Sequence, residues 1–154
     1  MTTLVDTNIL VRLSTPTDPD RSIALAAATI LQAGGDDLRT FPQSLYEFWV
    51  TATRPTTANG LGLTSTRCAA ELSKLEATFP PLTDPADLFT RWKALVIAYQ
   101  CAGKVAHDAR LVAAMNAHGI TRILTFNGRD FARYPGITIL DPKVVAATPP
   151  SSTP

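Results

Sequence analysis

The chain has 154 residues, 45% of them hydrophobic and 18% charged, which suits one folded domain and excludes disorder driven by charge. Fourteen basic against thirteen acidic residues, a formal net charge of +1, exclude the broad positive field of a protein that grips nucleic acid by charge alone, so any such contact must be local. Two separated cysteines, Cys68 and Cys101, form no C-x-x-C pair, so neither a disulfide framework nor a zinc knuckle is expected.

Residues 3–5 are a β-prone run ending at Asp6, and residues 8–13 begin a helix that Pro16 stops. Ile23, Ala26, Ala27, Ile30 and Leu31 recur at helical spacing over residues 20–33, with Asp18 or Asp20 as cap and Gly34-Gly35 as stop. A short strand over 38–41 leads through Pro42 and Ser44 into a helix over 45–53, closed by Arg54-Pro55. The stretch 56–63, TTANGLGL, is a loop, and its two glycines make only a fragment of a dinucleotide fingerprint with no strand in front. Helices over 64–78 and 84–101 follow, the second with Asp84 as cap and Pro85 in its first turn. Lys104 to His107 lead into a helix through Asp108 that ends at Gly119. Residues 121–126 and 137–140 are short Ile- and Leu-rich runs, the mark of strands buried on both faces, and 127–134 turn the chain between them.

Strand and helix patterns that alternate with long crossovers predict an α/β fold: a central, mainly parallel sheet with helices on both faces. Residues 1–142 form the domain, and residues 143–154, whose last nine read AATPPSSTP, are expected to be a disordered tail. No apolar run approaches the roughly 18 residues of a membrane span, and the opening MTTLVDTNIL lacks a basic segment before its short apolar run. That reads as a cytoplasmic protein with no membrane contact.

The acids are ten Asp and three Glu, and Asp favours caps, turns and ligand positions over helix interiors. Ligands of a parallel sheet sit beyond the carboxyl ends of its strands, where Asp6 closes the first strand and Asn127 and Asp130 follow the run over 121–126. With Asp108 at one helix start and Glu47 in the first turn of another, four acids far apart in sequence can face one sheet edge. Hard oxygen ligands in that number suit Mg²⁺ or Mn²⁺. Each acid also has a local explanation: Asp6 and Asp108 as helix-start residues, Ser44 and Glu47 as the two halves of a capping box, and Asp130 as a turn or cap residue.

The segments Val5-Asp6-Thr7-Asn8, Ser44-Leu45-Tyr46-Glu47-Phe48, His107-Asp108-Ala109-Arg110-Leu111 and Leu124-Thr125-Phe126-Asn127-Gly128-Arg129-Asp130-Phe131 occur in that order. Together they resemble a PIN domain, which implies a three-layer α/β/α architecture. The stretch from Thr53-Arg54-Pro55 to Gly62 and the closing Asp130-Phe131-Ala132-Arg133-Tyr134-Pro135-Gly136-Ile137 are similar to VapC-type ribonuclease toxins of prokaryotic toxin–antitoxin pairs. The resemblance covers about residues 1 to 142.

It implies a Mg²⁺- or Mn²⁺-dependent endoribonuclease with Asp6, Glu47 and Asp108 as metal-binding acids and Asp130 as a fourth catalytic acid. Many relatives carry an acid where this chain has Asn127, so Asp130 or Asn127 fills the fourth position. Asn8, Asn127 and Arg110 are the implied substrate-binding groups, with Arg129 and Arg12 nearby in sequence. The implied partners are an RNA substrate, a cognate antitoxin and a second copy in a homodimer, for which Phe48, Trp49, Leu72 and Leu75 offer apolar surface. Replacing Asp6 or Asp108 by Asn is expected to abolish cleavage and leave metal-free stability equal or higher. Two alternatives stand beside this one. One is a catalytically weak PIN-like module that binds RNA or protein. The other is a haloacid-dehalogenase-like phosphatase, which needs a second Asp at position 8, where this chain has Asn.

Overall fold

The computed structural model of the protein describes residues 1–148. Four short strands, β1 (Thr2–Val5), β2 (Asp37–Arg39), β3 (Arg122–Leu124) and β4 (Thr138–Leu140), form one sheet. Its order is β2-β1-β3-β4 and every pairing is parallel. The chain leaves β1 toward β2 on one side and returns to β3 on the other, so the gap between the carboxyl ends of β1 and β3 is the topological switch point, where parallel sheets place their ligands.

The helices are α1 (Thr7–Leu13), α2 (Arg21–Ala33), α3 (Pro42–Thr53), α4 (Ser65–Thr78), α5 (Leu88–Ala98), α6 (Val105–Ala117), α7 (Gly128–Phe131) and α8 (Pro142–Ala147). Alternation along the strands separates two cores. Val5 and Leu124 pack with α1, α2, α3 and α4, while Leu4 and Ile123 pack with α5, α6 and α7 on the opposite face. That is the expected layering of helices, sheet and helices. Cys68 is buried in the first core and Cys101 lies partly exposed beside the second, both as free thiols.

Several local expectations are corrected. Helix α3 begins at Pro42, three residues before the predicted start, with Phe41 as cap and no side-chain cap. Pro42 needs no amide partner and presets the helical φ, so it starts the helix that the capping-box pattern placed later. Ser44 is therefore inside the helix, and its buried hydroxyl has no partner among the described residues. Helix α5 begins at Leu88 rather than Asp84, whose carboxylate instead binds the Arg110 guanidinium at 2.6 Å. The loop over 56–63 contains a 3-10 turn, Thr56–Ala58, and the expected turn over 127–134 contains α7.

The expected tail begins too early. Asp141 accepts the Lys143 amide and Pro142 sits at the first helical position, so α8 forms, lies against α2 and packs Val145 on the first core. The rest of that expectation, residues 149–154, lies outside the described residues. No described helix is long and apolar enough to cross a membrane.

Of the four side chains expected at an interface, Phe48 and Leu75 are core residues, and Trp49 and Leu72 pack against that core while remaining partly exposed. Phe48→Ala should accordingly cost about 3–5 kcal/mol, read by equilibrium urea unfolding, and the loss should not vary with protein concentration. A concentration-dependent loss would place Phe48 in a subunit interface.

Candidate active site

Asp6 follows β1 directly, and its amide donates to the Leu124 carbonyl at 3.1 Å, continuing the β1–β3 ladder by one residue. The ladder turns the carboxylate into the switch point. One oxygen accepts the Thr7 amide at 2.7 Å, and the other accepts Asn8 Nδ2 at 2.7 Å and the Thr125 hydroxyl at 2.6 Å. Thr125 Oγ1 in turn accepts Asn8 Nδ2 and the Asn127 amide, and Asn8 Oδ1 accepts the Phe126 amide. Asp6 is thus the cap of α1 and at the same time borders the cleft at the switch point.

Glu47 reaches the same cleft from α3. Its oxygens accept Thr7 Oγ1 at 3.0 Å and Gln43 Nε2 at 2.8 Å. Gln43 is buried one turn earlier, donates also to the His107 carbonyl and accepts Arg110 Nη1, while Arg110 is held by Asp84. The relay Asp84–Arg110–Gln43–Glu47 links α5's approach, α6 and α3. Glu47 is therefore a positioned side chain and not half of a capping box.

Asp108 lies in the first turn of α6, whose N-cap is Lys104 with no side-chain cap. Its carboxylate has no hydrogen-bond or ion-pair partner among the described residues, which leaves it no capping role. Asp130, on α7, faces the same space, and so does Asn127: Asp6, Asn8, Glu47, Asp108, Asn127 and Asp130 all border one cleft of about 290 Å³. Both candidates for the fourth position are present, and only Asp130 adds charge.

That charge is felt. Burial pushes the Asp6 carboxyl from 3.8 up to about 6 against the pull of the Thr125 and Thr7 hydrogen bonds, and the charges of Glu47 and Asp130 push the same way. Burial also takes Asp108 up to about 6, reinforced by Asp130, Asp6 and Glu47, with His107 acting in the opposite sense. Two carboxyls pushed up to about 6 by burial and by neighbouring carboxylate charge within one cleft indicate a site short of cations.

The donor set fits a hard divalent cation that takes one or two carboxylates and keeps water or phosphate oxygens for the rest of its shell. Among the described residues no group of three or more His, Cys, Asp or Glu side chains is placed to hold a metal ion as it stands.

The implied substrate-binding residues divide. Asn127 is exposed at the mouth. The Asn8 amide is fully engaged in bracing Asp6, Thr125 and the Phe126 amide. Arg110 holds Gln43 and Asp84 instead of meeting the acids. Arg12 pairs with Asp18 and Asp20 and lies over the Phe126 ring at 4.2 Å, and Arg129 is exposed. Gln43 and Thr125 carry structural work that sequence reasoning did not assign. Their signal was faint, since Gln43 stands one helical turn before Glu47 and Thr125 directly follows a buried strand.

The sequence matches the PIN domain family over residues 3–137. The fold resembles the crystal structure of VapBC2 from Rickettsia felis bound to a promoter DNA fragment, with TM-score 0.68 at 14% identity, covering 91% of this chain and 98% of that one. It is also similar to a toxin–antitoxin complex from Klebsiella pneumoniae, with TM-score 0.60 at 26% identity over 91% and 97% of the two chains. A third similar structure is Mycobacterium tuberculosis VapC20, a sarcin-ricin loop cleaving toxin, with TM-score 0.60 at 23% identity over 87% and 95%. No curated protein sequence matches the chain.

The cluster sets a sign for stability against pH. A carboxyl whose folded value is raised binds its proton more tightly in the native state, so its contribution is full below about pH 4 and is lost as pH rises through about 6. In chelator, Asp108→Asn should therefore be more stable than the parent above pH 6, by roughly 1–2 kcal/mol after allowance for solvent screening, and equal to it below pH 4. Asp6→Asn should instead lose about 1–3 kcal/mol, because an amide NH₂ would face donors that now converge on a carboxylate. Urea unfolding across that pH range measures both, and an Asp108→Asn protein destabilised at pH 7.5 would contradict the repulsion.

Proposed function

This chain belongs to the PIN domain family, and from that premise we propose that it is a Mg²⁺- or Mn²⁺-dependent endoribonuclease, the toxin of a toxin–antitoxin pair. The observation that carries the reading is the convergence of Asp6, Glu47, Asp108 and Asp130 on one cleft. Asp6 and Asp108 are the principal metal ligands in this reading, with Glu47 and Asp130 completing the acidic set. Bound there, the cation supplies charge neutralisation at a phosphate oxygen and lowers the pKa of a coordinated water.

The protein's own groups supply orientation. Thr125 and Asn8 occupy one oxygen of Asp6 and fix its rotamer, which leaves the oxygen that accepts the Thr7 amide with one acceptor position for a ligand. Gln43 and Thr7 each bind one oxygen of Glu47, which positions that carboxylate to accept a proton from the attacking water. Asn127 offers an uncharged amide at the mouth for a phosphate or base edge. The haloacid-dehalogenase alternative falls with the family match, and position 8 holds an amide engaged in bracing Asp6.

The Klebsiella complex supports a cognate antitoxin as partner, and the activity of the Mycobacterium toxin supports a structured RNA loop as substrate. RNA loops present unstacked bases and an accessible backbone. A homodimer belongs to the same reading, with Phe89 and Ile97 on α5 as exposed apolar side chains in place of the buried Phe48 and Leu75. A cytoplasmic location follows from the RNA substrate.

Purified protein should cut loop-containing RNA with Mg²⁺ or Mn²⁺, stop in excess chelator and recover when the metal is restored. Asp108→Asn should lower the rate by about 100-fold or more, and Asp130→Ala should lower it further than Asn127→Ala does. Gel analysis of end-labelled RNA reads all of these. Binding of RNA without cleavage at any metal concentration would reduce the protein to a binding module.

A further inference from the structure

Beside the carboxylate cleft runs a groove of about 570 Å³, within the roughly 300–1,000 Å³ of small-ligand sites. Helix α3 forms one wall and α6 the other. Glu47 and Thr51 border both the cleft and the groove, so the two are continuous. Offset around the same helix, Tyr46 and Val50 follow one another by one turn, and Arg54 stands at its C-terminal cap. Tyr46 is 66% and Val50 54% exposed, an aromatic ring and a branched aliphatic side chain open to solvent next to a charged site. His107 and Arg110 face them, the latter already balanced by Asp84.

Arg54 is exposed and, like Arg21, Arg67, Arg129 and Arg133, forms no ion pair among the described residues, whereas Arg12, Arg39, Arg91, Arg110 and Arg122 do. Of the five unpaired arginines only Arg54 borders the groove. Its backbone is held tightly. The Arg54 amide donates to Val50 O and its carbonyl accepts the Gly62 amide at 2.9 Å. Gly60 lies so close that a Cβ there would stand 2.0 Å from the Arg54 carbonyl oxygen. The glycines of the stretch over 56–63 thus have a physical purpose: they let the loop close over Arg54 and fix the root of a free guanidinium at the groove.

We propose that this groove is a nucleotide subsite for the RNA strand, in which an unstacked base lies on Tyr46 and Val50 and the Arg54 guanidinium takes the adjoining phosphate. The inference rests on the RNA substrate of the preceding reading. Four clustered carboxylates repel a phosphodiester, and a net charge of +1 supplies no general field to overcome that. An unpaired cation whose backbone is held at the groove beside the cleft meets that need. Stacking on an aromatic face holds a base without demanding a particular sequence.

The test uses the full chain with excess chelator, so that no phosphodiester is cut, and a short fluorescent single-stranded RNA followed by anisotropy. Tyr46→Ala should raise Kd roughly ten-fold or more, and Tyr46→Phe should restore it. Arg54→Ala should weaken binding and reduce the slope of log Kd against log salt by about 0.7, with Arg54→Lys keeping the slope. Both positions are exposed, so the variants should unfold at the parent's urea midpoint. With Mg²⁺, Tyr46→Ala should raise KM and leave kcat close to the parent's. Parent-like RNA binding by Tyr46→Ala and Arg54→Ala would overturn the subsite, as would a parent chain that binds no RNA. Variants that keep RNA binding but lose self-association in sedimentation would make this face a contact between copies, which also overturns it. Tyr46-dependent RNA binding without metal-dependent cleavage would sink the nuclease reading and uphold the subsite, whereas cleavage with KM unchanged in the variants would do the reverse.

Discussion

The buried carboxylate of Asp6 is the constraint from which the rest of the site follows. It stands at the switch point between β1 and β3, and its three donors come from the start of α1 and from the residue after β3. Those bonds join the carboxyl ends of two strands separated by more than a hundred residues of sequence. They do not cancel the cost of burial, which still pushes the carboxyl up to about 6. A network arranged only for stability would have brought a cation, and none of the ion pairs among the described residues involves Asp6.

The same imbalance is repeated by Asp108, and it explains why the site depends on rigid supports. Acids that repel one another stay together only if their backbones and rotamers are fixed elsewhere. For Glu47 the support is the Asp84–Arg110–Gln43 relay. Here the arginine's charge is neutralised at Asp84, away from the cleft, and only its geometry is passed on, through a neutral amide. The relay orients the carboxylate without quenching its charge.

Helix α3 shows how one element serves several demands. Its buried stripe of Leu45, Phe48 and Ala52 anchors it in the core, which leaves Glu47 and Thr51 for the acidic cleft, Gln43 to brace Glu47, and Tyr46 and Val50 for the groove beside it. The start at Pro42 sets the phase of all three faces. A start at residue 45 with Ser44 as its cap would have left Gln43 outside the helix and removed the support of Glu47.

Much of the chain was legible without coordinates. Short β-prone and apolar runs pointed to β1 through β4, helical spacing to α2 and α4, and the order of four acidic segments to the family and the sheet edge. These are local signals, set by how a side chain meets its own backbone. What could not be read locally was which acids act as caps and which as site residues, because Asp near a helix start is favoured for either reason. Tertiary structure decided the caps: Asp6 caps α1 while bordering the cleft, Asp108 borders it with no cap to make, Asp84 binds Arg110, and Glu47 answers to Thr7 and Gln43. It also decided that residues 142–147 form a helix, since packing Val145 against a core assembled from distant segments is what stabilises so short a turn.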